Sequence, residues 1–212
     1  RIDEFGMHRF ELGSGAVLEK GCVYIVPLME SLNLKGRLSG FANPKSSTGR
    51  LDVFTRLIAD HGAVFDQVPA GYRGPLYAEI SPRTFSIVVR RGSRLSQLRL
   101  RRGSAETGDS MLKRLQREVR VVDAAEGAAD IDQGIAVTVD LSNGIGGGIV
   151  GWRARHHTGL IDLNLIDHYE VRDFWEPGRA DTDGAVGLNP GDFYILASKE
   201  AVTVPPDHAA EM

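Results

Sequence analysis

Cysteine is all but missing from this chain. Cys22 stands alone, which excludes an internal disulfide and a cysteine cage for a metal and fits a reducing cytoplasm, the expected location. Long apolar runs are missing too. The most apolar uncharged stretch, Gly21–Met29, falls far short of the ~20 residues of a membrane-spanning helix, so no membrane partner is expected. Neither sign of charge dominates. With 25 Lys+Arg against 28 Asp+Glu the net charge is −3, which excludes bulk attraction to nucleic acid or anionic lipid and leaves only a local basic patch as a route to such partners. What is plentiful is glycine, 25 residues in 212, above its usual ~7% share and a sign of many turns.

The length allows one elaborate domain or two small ones. The chain opens Arg-Ile-Asp-Glu-Phe, without an initiator Met or an apolar leader, and is read as a piece of a longer protein. Short apolar runs separated by turn residues (Cys22–Val26, Leu32–Leu34, Leu76–Ile80, Phe85–Val89, Leu95–Leu100) predict an all-β sandwich or barrel. Two stretches read as helices instead. In 50–61 the residues Leu51, Phe54, Leu57 and Ile58 recur at helical spacing, and in 110–119 Met111, Leu112, Leu115 and Val119 do the same. Residues 123–134, small and acidic without periodicity, read as a linker.

A repeat spans the chain. Leu18, Gly21, Tyr24, Ile25 and Glu30 coincide with Leu188, Gly191, Tyr194, Ile195 and Glu200 at a constant offset of 170, and Leu34 faces Val204 in the same class. Duplication accounts for this better than two unrelated strand-turn-strand units do. The expected organisation is a first copy at 1–103 lacking its N-terminal part, a helical connector and linker at 104–134, and a truncated second copy from 135 to 212.

Three segments have residues suited to chemistry. Asn43-Pro-Lys45-Ser46-Ser47-Thr48-Gly49-Arg50 offers backbone N–H groups at a predicted helix start, two adjacent hydroxyls and flanking cations, which is a phosphate site or, more simply, a serine cap with solvated charges. It is not a P-loop, because no glycine stands at the required place. Glu79 lies between Ala78 and Ile80, on the face of Tyr77 by strand alternation. Buried, it would be a desolvated proton shuttle whose shift a cation such as Arg50 could offset; on an edge strand it would point to water. Between Ile80 and Ser104 there are seven arginines and no acid, with Leu98 and Leu100 alternating against Arg99 and Arg101. Phe85 is the one aromatic there, too little for a single-strand binding surface, so no nucleic-acid partner is expected. A solvated or subunit-interface face fits better, with Gln97 able to present its amide to a ligand.

Six histidines include the adjacent His156 and His157, which on a strand would project to opposite faces and could not chelate together. No metal site is expected. The zinc-deaminase signature cannot be built with one cysteine, so any deaminase here activates water without zinc.

Lys45-Ser46-Ser47-Thr48-Gly49-Arg50, Ala70-Gly71-Tyr72-Arg73-Gly74-Pro75-Leu76-Tyr77-Ala78-Glu79 and Gly92-Ser93-Arg94-Leu95-Ser96-Gln97-Leu98, in that order, resemble the dCTP deaminase family of the dUTPase-like superfamily. They are most similar to its long, internally duplicated bacterial branch, whose connecting segment 156–158 and 173–177 also resemble. The resemblance implies a distorted jelly-roll-like β-barrel with a few short helices. It implies hydrolysis of dCTP to dUTP and ammonia, which supplies dUTP for thymidylate synthesis. It places the triphosphate on Lys45, Ser46 and Ser47, puts Arg50 with Ser46 beside the reacting water, makes Glu79 the proton shuttle, and brings Tyr77 and Gln97 to the substrate. It further implies Mg²⁺ carried by the triphosphate, dTTP as a possible effector and a trimer-like homo-oligomer. Pro69 stands where the family has an Asp that contacts the sugar, with Asp66 the nearest acid. The substitution disfavours the alternative of a dUTPase-type pyrophosphohydrolase. A non-catalytic nucleotide-binding or assembly module is the remaining reading.

Overall fold

The computed structural model describes residues 6–103, 107–124, 129–142 and 147–210. It is mostly strand. In chain order the elements are β1 (Ala16–Leu18), β2 (Tyr24–Asn33), β3 (Leu38–Pro44), α1 (Ser46–Gly49), β4 (Val53–Ala59), β5 (Gln67–Val68), β6 (Arg73–Pro82), β7 (Ile87–Val89), β8 (Ser96–Arg102), α2 (Asp109–Val119), β9 (Ile149–Ala154), β10 (Ile161–Asp162), α3 (Val171–Phe174), β11 (Trp175–Arg179) and β12 (Tyr194–Leu196). Among the described residues the strands form four three-stranded sheets, ordered β2-β6-β4, β5-β3-β8, β1-β7-β10 and β11-β9-β12. The expected all-β class holds, but none of these sheets closes into a barrel. No helix among the described residues is long and apolar enough to cross a membrane.

The chain divides into two units, one of residues 1–104 with 154–176, the other of 105–153 with 177–212. Residues 154–176 belong to the first unit. There β10 runs parallel to β7, and Arg90 clasps Asp162 through two hydrogen bonds of 2.5 and 2.6 Å. Those hydrogen bonds, chiefly, hold the Asp162 carboxyl below its ordinary range.

The first unit's core shows why the segment after α1 is a strand and not the expected helix. Val53, Thr55, Leu57 and Ala59 are buried, with period two, while Phe54, Arg56 and Ile58 take the other face. Apolar residues on both faces had mimicked a helical stripe. Leu57 and Ala59 pack with Leu34, Ala42, Val68 and Leu76, and Phe85 and Ile87 are wholly buried nearby in sequence. Asp66, with φ of 62°, closes the end of β4: its N–H donates to Leu57 O, its Oδ1 accepts from Leu57 N at 2.7 Å, and its carbonyl accepts from Ala42 N.

In the second unit α2 covers Asp109–Val119, as the spacing of its apolar residues predicts, and ends on Arg120 in the left-handed region. Of the stretch read as a linker, 125–128 lies outside the described residues. Its flanks are built in: Val121 and Val122 are buried, Val122 bridges Val202, Asp123 N donates to Ala201 O, and Ile131 is buried. β9 pairs antiparallel with β12, and Arg153 reaches the buried Asp192 carboxylate at 3.6 Å.

The positions matched at an offset of 170 form similar turns. Gly21 and Gly191 both adopt left-handed backbone, φ 82° and 84°, where a side chain would be strained. Cys22 N donates to Glu19 O at 3.3 Å and Asp192 N to Asn189 O at 3.2 Å. The Tyr24 hydroxyl accepts from Glu19 N at 2.9 Å, and the Tyr194 hydroxyl from Asn189 N at 3.1 Å. Each tyrosine then starts a strand.

Candidate active site

Two parts of the first unit hold the residues expected to act. One is the segment after β3. Lys45 is extended and lends its N–H to Leu95 O at 2.9 Å; α1 follows as a single turn, and the buried Thr48 hydroxyl donates to the same carbonyl at 2.8 Å. Thr48 therefore fixes the turn while Ser46, Ser47 and Arg50 stay exposed and Lys45 half-buried. The Ser46 and Ser47 hydroxyls bond no described residue. The Arg50 guanidinium Nε donates to Ser46 O at 3.3 Å. Across the sheet Gln97 on β8 stands opposite Asn43 and Ser96 opposite Pro44, which puts Gln97 beside the base of this turn. Asn43 Oδ1 is buried there without a partner. The motif thus presents hydroxyls and cations outward from a turn anchored underneath, as anion binding needs.

The second part is the sheet β2-β6-β4. Glu79 stands between Ile25 and Arg56, and Tyr77, half-buried on the same face, between Pro27 and Ile58. Arg56, not Arg50, meets the carboxylate: its Nη2 lies 2.6 Å from Glu79 Oε1, and the Glu79 side chain is 15% exposed. This corrects the expected cation and lies between the two expected burial states. The Arg56 guanidinium is itself held over the ring of Phe65 at 3.7 Å and of Phe54 at 5.0 Å. Glu79 and Phe54 line a cavity of about 270 Å³ with Gly21, Val23, Ser81, Pro82 and Arg83. Val23, Ile25 and Phe54 leave this face apolar and partly exposed.

Among the described residues no hydrogen bond or ion pair joins Glu79 to Ser46 or Arg50. The two parts are linked through Asp52, in the turn from α1 to β4. Its carbonyl accepts from Arg83 N and its carboxylate from Thr84 Oγ1 at 2.7 Å, so the residue pins the motif to the strand end below Glu79.

Sequence reasoning missed Arg56 and Phe65, and it named Asn43 without giving it a role. Other residues turn out to be structural. Asp66, the nearest acid to Pro69, bonds the backbone of Leu57 and Ala42. The Tyr72 hydroxyl accepts from Asp60 N and donates to Pro75 O. Arg90 serves Asp162, Arg83 reaches the Glu79 cavity, and Leu98 packs against the core while Leu100 is half exposed. His156 and His157 follow β9 in a bend, so they line one cavity with ring centroids 6.4 Å apart and do not face opposite ways. No group of three metal-capable side chains occurs among the described residues.

Fold and site together define an all-β protein that sets an outward hydroxyl-cation turn at the foot of a sheet carrying one paired carboxylate in a shallow cavity. Known proteins place this more narrowly. Residues 1–104 match the family model of the N-terminal domain of 2'-deoxycytidine 5'-triphosphate deaminase, and residues 108–212 that of its C-terminal domain. The crystal structure of 2'-deoxycytidine 5'-triphosphate deaminase from Agrobacterium tumefaciens is 52% identical, with a TM-score of 0.88 over 94% of this chain. The chain spans 57% of that protein. Comparison with curated proteins finds no match. The chain belongs to the 2'-deoxycytidine 5'-triphosphate deaminase family.

Proposed function

We propose that this protein hydrolyses dCTP to dUTP and ammonia without zinc. The observation that carries the reading is Glu79, a carboxylate with one oxygen held by Arg56 in a cavity of the sheet face. Deamination at C4 adds a water oxygen and expels the amine, so one group that takes the water proton and returns it to the leaving nitrogen serves both halves. Glu79 with Oε1 tethered has Oε2 left for that shuttle. Lys45, Ser46 and Ser47 bind the triphosphate, Arg50 with Ser46 sits at the reacting water, and Tyr77 and Gln97 bound the substrate. Mg²⁺ rides on the triphosphate and needs no protein cage. The single cysteine supports the zinc-free route, since the zinc-deaminase ligand set cannot be assembled.

The partly exposed Val23, Ile25 and Phe54 around Glu79 support a trimer-like homo-oligomer that covers this face and completes the site. The sheets are then parts of a distorted jelly-roll-like architecture, and the matching turns at Gly21 and Gly191 begin two copies of one unit. The reaction belongs in the cytoplasm, with dTTP as a competing effector.

The test is incubation with dCTP and Mg²⁺, with the nucleotides separated by ion exchange, beside Glu79→Gln and an EDTA-treated, zinc-resupplied control. A dUTP peak lost in the variant and indifferent to zinc is expected. Formation of dUMP would move the protein to the pyrophosphohydrolases, and dCTP binding without product would make it a binding module.

A further inference from the structure

We propose that a second cavity of the first unit, beside that of Glu79, is a binding site for a polyphosphate chain. It measures about 420 Å³ and is lined by Lys20, Thr84, Ser86, His156, His157 and Thr158. That volume exceeds what water or a single ion needs and falls in the range of small-ligand sites.

The lining is rich in donors and holds no carboxylate. The Lys20 ammonium spends one of its three donors on His156 O at 2.9 Å and meets no acid among the described residues. Arg56 and Arg90, by contrast, are paired with Glu79 and Asp162. The Ser86 hydroxyl accepts from Lys20 N at 3.0 Å and keeps its own proton to give. Thr158 keeps its hydroxyl proton, and the His157 ring its N–H, for a ligand. The Thr84 hydroxyl is already committed, since it donates to Asp52 Oδ2. Leftover N–H and O–H groups converging without acceptors, next to an unneutralised ammonium, fit an oxyanion with several acceptor oxygens.

The walls are built and not loose. The turn carrying Lys20 is tied down by Gly21 N to Pro82 O at 2.8 Å, and Arg83 N is tied to Asp52 O. The same two segments, 20–21 and 82–86, contribute to both cavities. The site is separate from the outward Lys45–Ser47 turn, and it does not depend on the deaminase reading.

The probe is sodium tripolyphosphate, followed through the imidazole signals of His156 and His157 by ¹H–¹⁵N NMR at fixed pH and ionic strength. Wild-type signals are expected to shift saturably. Lys20→Gln is expected to raise the Kd about tenfold or more and Thr158→Val a few-fold, while Lys45→Ala leaves it within about twofold. Thr158→Val keeps the shape of the wall, so its effect stands if Lys20→Gln fails to fold. Parallel titrations with deoxycytidine, dCTP and dTTP separate the sources. Tighter saturation by the triphosphates than by tripolyphosphate assigns the site to a nucleotide tail; equal or weaker saturation assigns it to free polyphosphate. No saturable shift, or a Kd that follows Lys45→Ala and ignores Lys20→Gln and Thr158→Val, would overturn the proposal. Loss of dCTP turnover leaves this readout untouched.

Discussion

The turn at Ser46–Gly49 and the sheet around Glu79 solve opposite problems in the same unit. The turn turns its polar groups outward: Ser46 and Ser47 are exposed, and only Thr48 is buried, as an anchor. At the sheet the polar group lies on the face away from the core yet is mostly covered, since Glu79 is tethered by Arg56, which two phenyl rings hold in turn. An outward surface of donors suits binding a hydrated polyanion, whereas a fixed, partly desolvated carboxylate suits moving protons. The contrast teaches that one unit can hold an outward set of donors and a tethered carboxylate on different segments, joined here through Asp52.

If that division is right, substitutions on the two sides will fail in different kinetic parameters. The largest effect is expected from Glu79→Gln, which keeps the shape and removes the base: kcat for dUTP formation should fall by roughly 10²–10⁴ with KM little changed. A rise in KM alone would collapse the distinction. Arg56→Ala is next. Arg56 touches no reacting atom in this reading and acts by positioning Glu79, so kcat should fall by roughly ten- to a hundredfold, Arg56→Lys should recover part of it, and KM should move little. Free guanidinium filling the slot between Phe54 and Phe65 should rescue Arg56→Ala, which a merely structural role would not allow. On the other side, Lys45→Ala should raise KM for dCTP by about tenfold while kcat holds, the signature of a lost charge-assisted contact to the phosphates.

How much of this was legible in the sequence depends on whether the information was local. The Lys45–Arg50 and Tyr72–Glu79 strings are contiguous, so their residue types, and for Tyr72–Glu79 the strand they sit on, could be read directly. The partner of Glu79 could not. Arg56 meets it because β4 and β6 pair in a register that sets residues 23 apart side by side, and Phe65 reaches the guanidinium from beyond the strand. The strand β4 itself was misread, since Phe54 and Ile58 put apolar groups on its outer face and imitated a helical period. The fate of His156 and His157 was misread for the converse reason: alternation applies to a strand, and these two sit in a bend after β9 ends. The repeat at offset 170 was legible because its turn depends on local residues, a left-handed glycine and a tyrosine five residues past a backbone N–H.

Stability gives smaller effects that sharpen the same contrast. Thr48→Val should cost about 1–3 kcal/mol in denaturant unfolding, because it removes a buried donor from Leu95 O while conserving volume. It should also weaken dCTP binding through the turn it anchors, leaving kcat alone. Equal loss in both parameters would mean that the turn also supports the chemistry.

The least effect at neutral pH, and the most revealing on acidification, belongs to Asp162, which closes the returning segment 154–176 on the first unit through Arg90. Its carboxyl is held below the ordinary value mainly by the Arg90 hydrogen bonds, so the folded form binds its proton less readily than the unfolded chain. The stability it contributes is therefore present above the unfolded value near ~4 and is lost as pH falls through the lower folded value. In Asp162→Asn that contribution is gone throughout. Denaturation midpoints of the variant and wild type, measured from pH 7 downward, should accordingly differ most at neutral pH and converge below about pH 4. Parallel curves would show that the clasp is mere proximity and that 154–176 is held by Phe85 packing edge-on against Phe174 and Trp175.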